Sequence, residues 1–560
     1  MIHPARYHSV GELLQDAFLQ YPSDTAAIEV DRDRELARLT YAEVRQAVRR
    51  VAGWLTAQGL HDGARVGLVM SNQSSWLIAA AAVLHVGSVI VPLDSRATGA
   101  EQSVLLKHAK VDGLFVDAHL RAALATTARV VVVTGAREEP EGATRMEDVL
   151  AHDGEVDLTP RTRDALAAIV YSSGTGGDPK GCLLTHGNYL AQYQSLMETF
   201  EWRRGDVYFS ILPTNHAIDF MCGFIAAWAT GATVLHQRTL RPEVLVKTMR
   251  RFRVTTMSVV PMILRALQRA VQDKLDDAPE GRRKAVGALT TLNAWITQRA
   301  PNHRVSRLLL KPVHDAFGGH LRMIFCGGAF TDRALAEFFS DLGIPVVIGY
   351  GLTEACTVAT VNDLKPFRGD TVGRAVPGVD VRIVNAGPDG VGEVQIAGPT
   401  VFAGYLDDPE QTGDAFDGAW LRTGDLGWLD AAHHLHLVGR SKNMIVTPGG
   451  KNVYPEDVES AFDRVDVDEL CVLAEDYVWP RTGLVGERLV AVVRVHDERR
   501  DAARKALAQR NRALPEHKRL GGVLWLDDTF PRTASMKLKR ADLASRVRDA
   551  HPRDAVEDLA

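Results

Sequence analysis

Short apolar runs alternate with amphipathic stretches along most of the chain. The apolar runs predict strands, and stretches such as TYAEVRQAVRRVAGWLTAQG predict helices because their apolar residues recur at helical spacing. Strands that are apolar along their whole length and alternate with helices are typical of parallel sheets. We therefore predict an α/β fold with stacked, largely parallel sheets. The nine runs are RVGLVMSN, SVIVPLD, GLFVDA, VVVVTG, AAIVYSS, ATVLHQ, TTMSVVP, LRMIFCGG and IPVVIGYG.

The pattern changes twice towards the C-terminus. After about Asp370, short alternating strands with Gly and Pro turns predict a small β subdomain. Beyond Arg440 a third pattern ends in a charged helical tail. We therefore predict a large N-terminal domain over residues 1–439 and a small α+β C-terminal domain over 443–560, joined at 440–442.

Composition adds three constraints. The chain has 560 residues, 46% of them hydrophobic, and a net charge of −5, which gives no argument for a nucleic-acid partner. Its five cysteines form no CxxC pair, which favours a reducing, cytoplasmic compartment without disulfides or structural zinc. No signal peptide is evident at the N-terminus. The longest apolar run, WLIAAAAVLHVGSVIVP over 76–92, is short for a membrane span and predicts a buried helix, a turn at Gly87 and a strand.

The stretch YSSGTGGDPKG, over 171–181, is the first candidate for chemistry. Glycine-rich loops bind phosphate because their unobstructed backbone N–H groups converge on an anion, and Lys180 adds a positive charge. A plain surface turn is the alternative, since Gly, Ser, Asp and Pro usually form turns. A Walker A loop is excluded, because it needs G-x-x-x-x-G-K-[ST] at the start of a helix. Here Pro179 precedes the lysine and Gly181 follows it.

The loop resembles the phosphate loop of the adenylate-forming superfamily, which contains acyl-CoA synthetases, luciferases and amino-acid adenylation domains. The family's usual form is [ST]SGTTGxPKG, so Gly176 replaces its second threonine. The resemblance extends over nearly the whole chain and implies an AMP-forming ligase similar to long-chain fatty acyl-CoA synthetases. The further matching stretches, in family order, are LPTNH (212–216), FCGGA (325–329), GYGLTEA (349–355), WLRTGD (420–425), GRSKN (439–443), GGKNVYPEDVE (449–459) and PRTASMKLKR (531–540).

The resemblance implies a reaction in two halves. A carboxylate attacks the α-phosphate of ATP, with Mg²⁺ present, and gives acyl-AMP and pyrophosphate; a thiol then displaces AMP. Because the first half brings two anions together, catalysis rests on positioning and charge neutralisation. Gly328 and Ala329 would let adenine approach the backbone closely. The residues that the resemblance assigns to ATP and AMP are Ser173, Gly174, Thr175, Gly176, Gly177, Lys180, Gly328, Ala329, Tyr350, Gly351, Thr353, Asp425 and Arg440.

Individual roles follow from the same resemblance. Tyr350 offers its ring to adenine, Thr353 offers its hydroxyl to the phosphate, and Glu354 binds Mg²⁺. Asp425 and Arg440 bind the ribose. Outside these motifs, Glu354 would be a solvated charge, Tyr350 a core aromatic and Asp425 a turn residue.

Two more residues complete the predicted catalytic set. His216 borders the carboxylate that is activated, and its N–H would stabilise the oxyanion in the thiolysis step. Lys537 enters from the C-terminal domain and bridges carboxylate and α-phosphate oxygens, although Met536 replaces the family's usual glycine. We expect the neighbouring Lys539 and Arg540 to be only surface charges.

The two halves of the reaction need different groups around one carbonyl. The resemblance therefore implies that the C-terminal domain rotates about a hinge at Lys442. Lys537 serves adenylation, and a second segment then faces the site and passes the pantetheine arm of CoA or of a carrier protein. The residues assigned to this thiol tunnel are Gly449, Gly450 and Lys451.

The residues after His216 bear on the identity of the acid. Members that activate amino acids usually carry Asp directly after this histidine, where this chain has Ala217. The neighbourhood is apolar, with Ile218 and Phe220, which favours a medium- or long-chain fatty acid, with CoA as the thiol. Asp219 is the nearest acidic residue, so a substituted or amino acid stays open as the substrate.

Other functions stay open as well. The same chemistry would load an acyl carrier protein, and a luciferase-type oxygenase would use the same adenylate. A non-catalytic acyl or nucleotide binder is a third alternative, against which the intact Lys537, Glu354 and Asp425 argue. Monomer and homodimer both stay open. The basic segment 269–312 predicts either a surface helix pair or a contact with a membrane surface or an acidic carrier protein.

Overall fold

The computed structural model describes residues 4–559 except 139, 173–179, 240, 300–302, 447–451, 464, 481–487 and 533–537. The helices are α1 (Val10–Gln20), α2 (Tyr41–Ala57), α3 (Ser74–His85), α4 (Gly99–Ala109), α5 (Ala118–Arg121), α6 (Met146–Leu150), α7 (His186–Thr199), α8 (Ala217–Asp219), α9 (Ala227–Ala229), α10 (Pro242–Phe252), α11 (Pro261–Asp276), α12 (Glu280–Arg299), α13 (His303–Leu309), α14 (Lys311–Ala316), α15 (Arg333–Asp341), α16 (Pro409–Ala415), α17 (Pro455–Ser460), α18 (Glu475–Val478), α19 (Asp497–Ala513) and α20 (Arg540–Ala550). A π-helix, Phe220–Ala226, joins α8 to α9. Short 3₁₀ helices are Pro4–Arg6, Thr353–Ala355, Ser441–Asn443, Glu516–Lys518 and Arg553–Ala555.

The strands are β1 (Thr25–Asp31), β2 (Arg34–Thr40), β3 (Arg65–Val69), β4 (Val89–Pro92), β5 (Gly113–Asp117), β6 (Val130–Thr134), β7 (Thr144–Arg145), β8 (Leu166–Ser172), β9 (Lys180–Thr185), β10 (Val207–Ser210), β11 (Thr233–Gln237), β12 (Thr256–Val259), β13 (Met323–Cys326), β14 (Val346–Tyr350), β15 (Thr360–Val361), β16 (Arg374–Ala375), β17 (Asp380–Val384), β18 (Gly392–Ala397), β19 (Phe416–Asp417), β20 (Trp420–Leu429), β21 (Leu435–Arg440), β22 (Ile445–Val446), β23 (Asn452–Val453), β24 (Glu469–Ala474), β25 (Leu489–Arg494), β26 (Leu520–Leu526) and β27 (Glu557–Asp558). Eight of the nine apolar runs contain one of these strands, and AAIVYSS overlaps β8 from the second residue of that strand on, so the predicted strands are confirmed.

The chain divides into two compact units. The first comprises Met1–Val381 and Ile396–Leu421, and the second comprises Arg382–Gln395 and Arg422–Ala560. A separate five-stranded sheet has the order β17-β18-β20-β19, and β21 also pairs with β20. This sheet is the small β subdomain expected after Asp370. The position of the hinge at 440–442 stays a prediction.

Two large sheets form the first unit. One has nine strands in the order β16-β15-β14-β13-β12-β10-β11-β1-β2, and the other has seven in the order β7-β6-β5-β3-β4-β8-β9. From β14 through β1 in the first sheet, and from β7 through β8 in the second, neighbouring strands are parallel. The antiparallel strands lie at the edges, as β2, β15, β16 and β9. The predicted α/β fold with largely parallel sheets is thus confirmed.

Helix α3 explains the longest apolar run of the sequence. It contacts β3 and β4 of the seven-stranded sheet and β1 of the nine-stranded sheet, and all but one of its residues are buried. A helix enclosed on all sides needs apolar residues all round, and here these are Trp, Leu, Ile, Val and a run of four alanines. Gly87 follows in the left-handed region, with φ +71°, and leads into β4. The predicted helix, turn and strand are confirmed.

The second unit has a four-stranded sheet, β24-β25-β26-β27, and the two-stranded β22-β23. Its core contains Val472, Ala491, Val493 and Val523 from this sheet, together with Leu507 of α19. Elsewhere, the predicted basic helical segment is confirmed as α11 to α14. Among the described helices, none is long and apolar enough to cross a membrane. All five cysteines are buried and free.

Candidate active site

Three of the matched stretches lie at the carboxyl ends of parallel strands in one sheet. LPTNH follows β10, Gly327 to Ala329 follow β13, and Gly351 to Ala355 follow β14. These strands run parallel, joined through β12, so their carboxyl ends meet at one edge of the sheet. Ligands of open α/β sheets bind at this edge.

The three stretches are in contact there. A Cβ added to Gly327 would lie 3.2 Å from the carbonyl oxygen of Gly349 and 3.9 Å from Ile218 Cδ1. A Cβ added to Gly351 would lie 2.0 Å from the carbonyl oxygen of Thr357, so only glycine fits this turn. Thr357 Oγ1 lies 3.2 Å from the carbonyl oxygen of Ala217. The structure therefore brings together the predicted acyl and nucleotide segments.

The backbone after β13 is open, as an approaching flat ligand requires. Gly328 has a φ of +83°, where side chains are strained, and Gly328, Ala329 and Phe330 are exposed. Phe330, with 58% exposure, was not identified from the sequence. Tyr350, the last residue of β14, is only 8% exposed, so little of its surface is open to a ligand. The adenine-binding roles stay predictions.

Tyr405 connects two of the predicted phosphate-site residues. Its hydroxyl donates to Glu354 Oε1 at 3.1 Å, and Lys180 Nζ lies 5.2 Å from the centre of its ring. Burial and the nearby Glu354 carboxylate raise the pKa of Tyr405, so its hydroxyl stays a donor. Sequence reasoning missed Tyr405, because it lies 51 residues from Glu354 and carries no motif of its own.

Glu354 is a suitable ligand for the expected Mg²⁺. It lies in the 3₁₀ helix Thr353–Ala355, half-buried beside Tyr405. Among the described residues, no group of three or more His, Cys, Asp or Glu could hold a metal ion. Mg²⁺ that arrives with nucleotide phosphates needs only one or two carboxylates from the protein. A single carboxylate at the end of β14 fits this requirement.

The glycine-rich loop joins two antiparallel strands. Ser172 pairs with Lys180 and Tyr171 pairs with Gly181 at the ends of β8 and β9. Lys180 therefore begins a strand, whereas a Walker A lysine begins a helix, so the exclusion of that motif is confirmed. The predicted ligands Ser173, Gly174, Thr175, Gly176 and Gly177 lie outside the described residues.

His216 lies at the start of a largely buried helical segment, 217–229. It is half-buried and occupies the N-cap position, and its carbonyl accepts from the Phe220 N–H at 2.8 Å. Ala217 and Ile218 are also half-buried, whereas Phe220 and Phe224 are almost fully buried. The accessible part of this segment is therefore its first turn.

Asp425 and Arg440, the two residues predicted to bind the ribose, both lie in the second unit and form an ion pair with each other. They lie opposite each other in the β20–β21 ladder, with Arg440 Nε 3.0 Å from Asp425 Oδ1. The exposed Lys442 follows in the 3₁₀ helix Ser441–Asn443. The roles of all three in ribose binding and hinge motion stay predictions. The predicted Gly449, Gly450, Lys451 and Lys537 lie outside the described residues.

Arg540 corrects one expectation, since it is not a solvated surface charge. Its guanidinium donates to both carboxylate oxygens of Glu459, at 2.8 and 2.7 Å, and to the carbonyl of Val472 at 3.0 Å. Its side chain is only 16% exposed. The basic run KLKR resembles a solvated helix end because its acidic partner lies 81 residues away.

Comparisons with known proteins identify relatives of this sequence. The sequence matches the family described as AMP-binding enzyme over residues 14–406. A 3-[(3aS,4S,7aS)-7a-methyl-1,5-dioxo-octahydro-1H-inden-4-yl]propanoyl:CoA ligase of Mycobacterium tuberculosis is 31% identical over 469 residues, covering 80% of this chain and 82% of that protein. The long-chain-fatty-acid–CoA ligase FadD15 of Mycobacterium bovis is 28% identical, over 75% of this chain and 72% of that protein. Feruloyl-CoA synthase of an Amycolatopsis species is 29% identical, over 91% and 94%.

Solved structures show the same fold. The anthranilate CoA ligase AuaEII in complex with anthranoyl-AMP superposes with a TM-score of 0.78 at 21% identity, covering 97% of this chain and 98% of that one. The o-succinylbenzoate CoA synthetase of Bacillus subtilis in complex with its acyl-adenylate gives 0.74 at 22% identity, covering 95% and 97%. This chain belongs to the AMP-binding enzyme family. The predicted adenylate-forming fold and the predicted AMP-forming acyl-CoA ligase activity are confirmed.

Proposed function

We propose that the protein activates an apolar carboxylic acid, first of all a medium- or long-chain fatty acid, with ATP and Mg²⁺, and transfers the acyl group to CoA. One observation carries this choice of acid. The half-buried first turn of segment 217–229 presents Ala217 and Ile218, whereas the carboxylate of Asp219 is fully buried and accepts three hydroxyl groups of the protein itself. The ammonium group of an amino acid would lack a partner carboxylate here.

In the first half-reaction the protein brings two anions together. Lys180 and the glycine-rich stretch neutralise the pyrophosphate that leaves. Glu354 would hold Mg²⁺, which would neutralise further charge on the phosphates. Tyr405 orients the Glu354 carboxylate through its hydroxyl. His216 faces the carboxyl group of the acid, and Lys537 bridges this group and the α-phosphate.

In the second half-reaction a thiol attacks the acyl carbonyl and AMP leaves. The C-terminal domain, residues 443–560, turns about Lys442 relative to the N-terminal domain, residues 1–439. Gly449, Gly450 and Lys451 then pass the pantetheine arm of CoA. Asp425 and Arg440 hold the ribose through both steps. The phosphopantetheine of a carrier protein is the alternative acceptor.

The names of the relatives support an apolar acid without deciding which one. They include ligases for long-chain fatty acids, for a propanoate on a fused-ring system and for ferulate. A ring-containing acid is therefore the second candidate.

A pyrophosphate-release assay over acids of increasing length tests the choice of acid. Burial of each CH₂ contributes about 0.8 kcal/mol, so each added carbon is expected to lower KM severalfold until the pocket ends. One amino, one hydroxy and one aromatic analogue are included, and the series is repeated with CoA and with a carrier protein. A flat length profile, or a clear preference for the amino analogue, contradicts the fatty-acid proposal and leaves the adenylation chemistry standing.

Two variants test which residue serves which half-reaction. Lys537→Ala is expected to abolish acyl-AMP formation and to spare thiolysis of supplied acyl-AMP, with Lys539→Ala as the matched control. Lys442→Pro is expected to spare acyl-AMP formation and to slow thioester formation, because proline fixes φ. Equal loss of both halves in either variant would contradict the assigned role.

A cytoplasmic location and a peripheral membrane contact complete the proposal. The exposed Leu292, Trp295 and Leu308 of the basic segment 269–312 support the membrane contact. Sedimentation with anionic and neutral vesicles tests it, and no binding to anionic vesicles would contradict it.

A further inference from the structure

Asp219 is buried in an unusual part of segment 217–229. It ends α8, and the π-helix Phe220–Ala226 begins directly after it. A Cβ added to Gly223 would lie 2.9 Å from both carboxylate oxygens of Asp219, so the absence of a side chain there makes room for them. π-Helical turns are rare and occur frequently at functional sites.

Three hydroxyl groups surround the Asp219 carboxylate. Tyr208 donates to Oδ1 at 2.8 Å, and Ser210 and Thr214 donate to Oδ2 at 2.8 and 3.0 Å. Ser258 Oγ lies 2.7 Å from the Tyr208 hydroxyl and donates to it, since the Tyr208 proton is used by Asp219. Among the described residues no Lys, Arg or His forms an ion pair with Asp219. The charge is therefore stabilised by hydroxyl groups alone, and burial raises the pKa of Asp219 to about 6.

Asn72 extends this network from the loop after β3. Its Nδ2 donates to Ser210 Oγ at 3.0 Å and to the carbonyl of Leu212 at 2.6 Å, and its Oδ1 accepts from the Thr214 N–H at 2.9 Å. Asn72 and Asp219 thus share Ser210 and Thr214 as partners. Together they fix residues 212–214, the first part of the 212–216 turn, from both sides.

His216 lies between Thr214 and Asp219, which the network holds in place. Thr214 precedes it by two residues, Asp219 follows it by three, and the hydrogen bond between these two closes a short loop around it. The His216 N–H also donates to the carbonyl of Pro213 at 3.0 Å. The position of the His216 backbone is therefore set by the network, although Asp219 lies deeper in the protein.

A purely structural role does not account for a carboxylate at this place. Burial of a charge without a cationic partner is costly even when hydroxyl groups bind it. A neutral residue of similar size would fill the same space at a lower cost of desolvation. An ionised carboxylate can, however, accept from all three hydroxyl groups at once, which a neutral amide oxygen cannot do as well.

We propose that Asp219 is a positioning residue of the ligase reaction, which, together with Asn72, holds the 212–216 turn so that His216 faces the carboxyl group of the acid. The proposal rests on the proposed function, because it uses the role given there to His216. It assigns Asp219 to catalysis through His216, and not to recognition of a substituted acid.

Asp219→Asn keeps the volume of the side chain and removes its charge. The kcat for acyl-AMP formation is expected to fall about 10- to 100-fold, as for a misplaced reacting group, with the KM for ATP unchanged. The ratio of KM values between successive chain lengths is also expected to stay unchanged. Asn72→Ala, which leaves the carboxylate in place, is the second variant and is expected to lower kcat in the same way but less.

Asp206→Asn is the matched control. Asp206 lies just before β10, the strand that carries the Asp219 partners Tyr208 and Ser210, and it is buried and paired with Arg322. This variant is expected to lose stability without a change in kcat. The effects of Asp219→Asn and His216→Ala are expected to be non-additive, so that the double variant is no slower than His216→Ala alone.

A readout besides activity separates this proposal from the proposed function. In protein with ¹³C-labelled histidine, the His216 ring signal is the one lost in His216→Gln. This signal and its titration are expected to shift in Asp219→Asn and to stay in place in Asp206→Asn. An unshifted signal, an unchanged kcat in Asp219→Asn, or additive effects would overturn the proposal. Absence of pyrophosphate release with every acid would instead overturn the proposed function, and the histidine signal would still decide the question of Asp219.

Discussion

Asp219 in the first unit and Glu459 in the second are both carboxylates inside the protein, but their partners differ. Glu459 accepts two hydrogen bonds from the guanidinium of Arg540 and one from the backbone N–H of Val472. Asp219 accepts three hydrogen bonds from hydroxyl groups and forms no ion pair among the residues that the structure describes. One charge is neutralised by a neighbour of opposite sign, and the other is only solvated by dipoles.

The difference shows what each carboxylate contributes. The Glu459–Arg540 pair joins α17, β24 and α20, so it connects three elements of the second unit. In the sequence, Arg540 follows closely after Arg532 and Leu538, which form a β-bridge. Asp219 connects only one turn to one helix. Burial raises the pKa of both carboxyl groups, but Glu459 has a cation that connects it to other elements, whereas Asp219 has only hydroxyl partners among the described residues.

Arg540→Met should give the largest loss of stability. It leaves the Glu459 carboxylate inside the unit without its cation, and loss of one partner of a buried pair typically costs about 3–5 kcal/mol. Chemical unfolding followed by the fluorescence of Trp525 and Trp479, both in the second unit, measures this loss. The double variant Arg540→Met with Glu459→Leu should recover most of it. A double variant as unstable as the single one would show that the charge is not the cause.

The sequence predicted the strands better than it predicted the partners of the buried charged residues. Strands such as β3, β5 and β13 are apolar along their length, so their pattern was readable. The edge strands β2 and β15 were not predicted, because β2 alternates polar residues and β15 has only two residues. Arg540 was misread as a surface charge because nothing within its own run indicates Glu459.

For the candidate site, too, the sequence predicted the residues that lie in motifs and missed their partners. Family motifs gave His216, Glu354 and Lys180, and the structure brings the segments of the first two and Gly327 to one edge of a sheet. Residues that act through those groups carry no motif. Tyr405 lies 51 residues from Glu354, and Asn72 lies 142 residues from Thr214. Only the folded chain brings such pairs together.

Asp219→Asn should change the pH dependence of stability. Burial raises the pKa of Asp219 to about 6 in the folded protein, compared with 3.8 for the free side chain. Between these values the folded state binds more protons than the unfolded state, so the free energy of unfolding falls as the pH rises. A difference of about 2 pKa units corresponds to about 3 kcal/mol, lost by the unmodified protein between pH 4 and pH 7.

Comparing the unmodified protein with Asp219→Asn isolates the titration of Asp219, because the two proteins share every other titratable group. The nearby Tyr208 and Cys222 stay neutral in this range, since burial raises the pKa of each. Urea unfolding at several pH values, with the fluorescence of the buried Trp76 and Trp228 as the signal, gives the two curves. As the pH rises, the free energy of unfolding of Asp219→Asn should increase relative to that of the unmodified protein. Parallel curves would mean that Asp219 is not a buried charge.

Glu354 is an intermediate case, because it is half-buried and accepts a hydrogen bond from the Tyr405 hydroxyl. The variant Tyr405→Phe tests this hydrogen bond. The variant keeps the ring that packs against Phe402 and Lys180, and it removes only the donor to Glu354. A hydrogen bond to a charged group contributes about 1.5 kcal/mol, so kcat/KM for Mg²⁺–ATP should fall about tenfold. Tyr7→Phe, which removes a hydroxyl that binds Asp16 on the surface, is the control. Equal activity of the two variants would contradict the role of Tyr405.

The exposed pair of Lys110 and Asp407 should show the smallest effect. Their side chains are 71% and 53% exposed, so water screens the attraction, and such pairs contribute little or nothing to stability. Lys110 also ends α4 in the left-handed region, with φ 52°, where glycine is favoured over any other residue. Lys110→Ala loses the pair and keeps the strain, whereas Lys110→Gly loses the pair and relieves the strain. Calorimetry should therefore give an unchanged or slightly lower Tm for the alanine variant and a Tm higher by about 1 °C for the glycine variant. A loss of Tm in Lys110→Gly as large as that in Arg540→Met would contradict this comparison. It would mean that the two ion pairs do not differ because of their exposure.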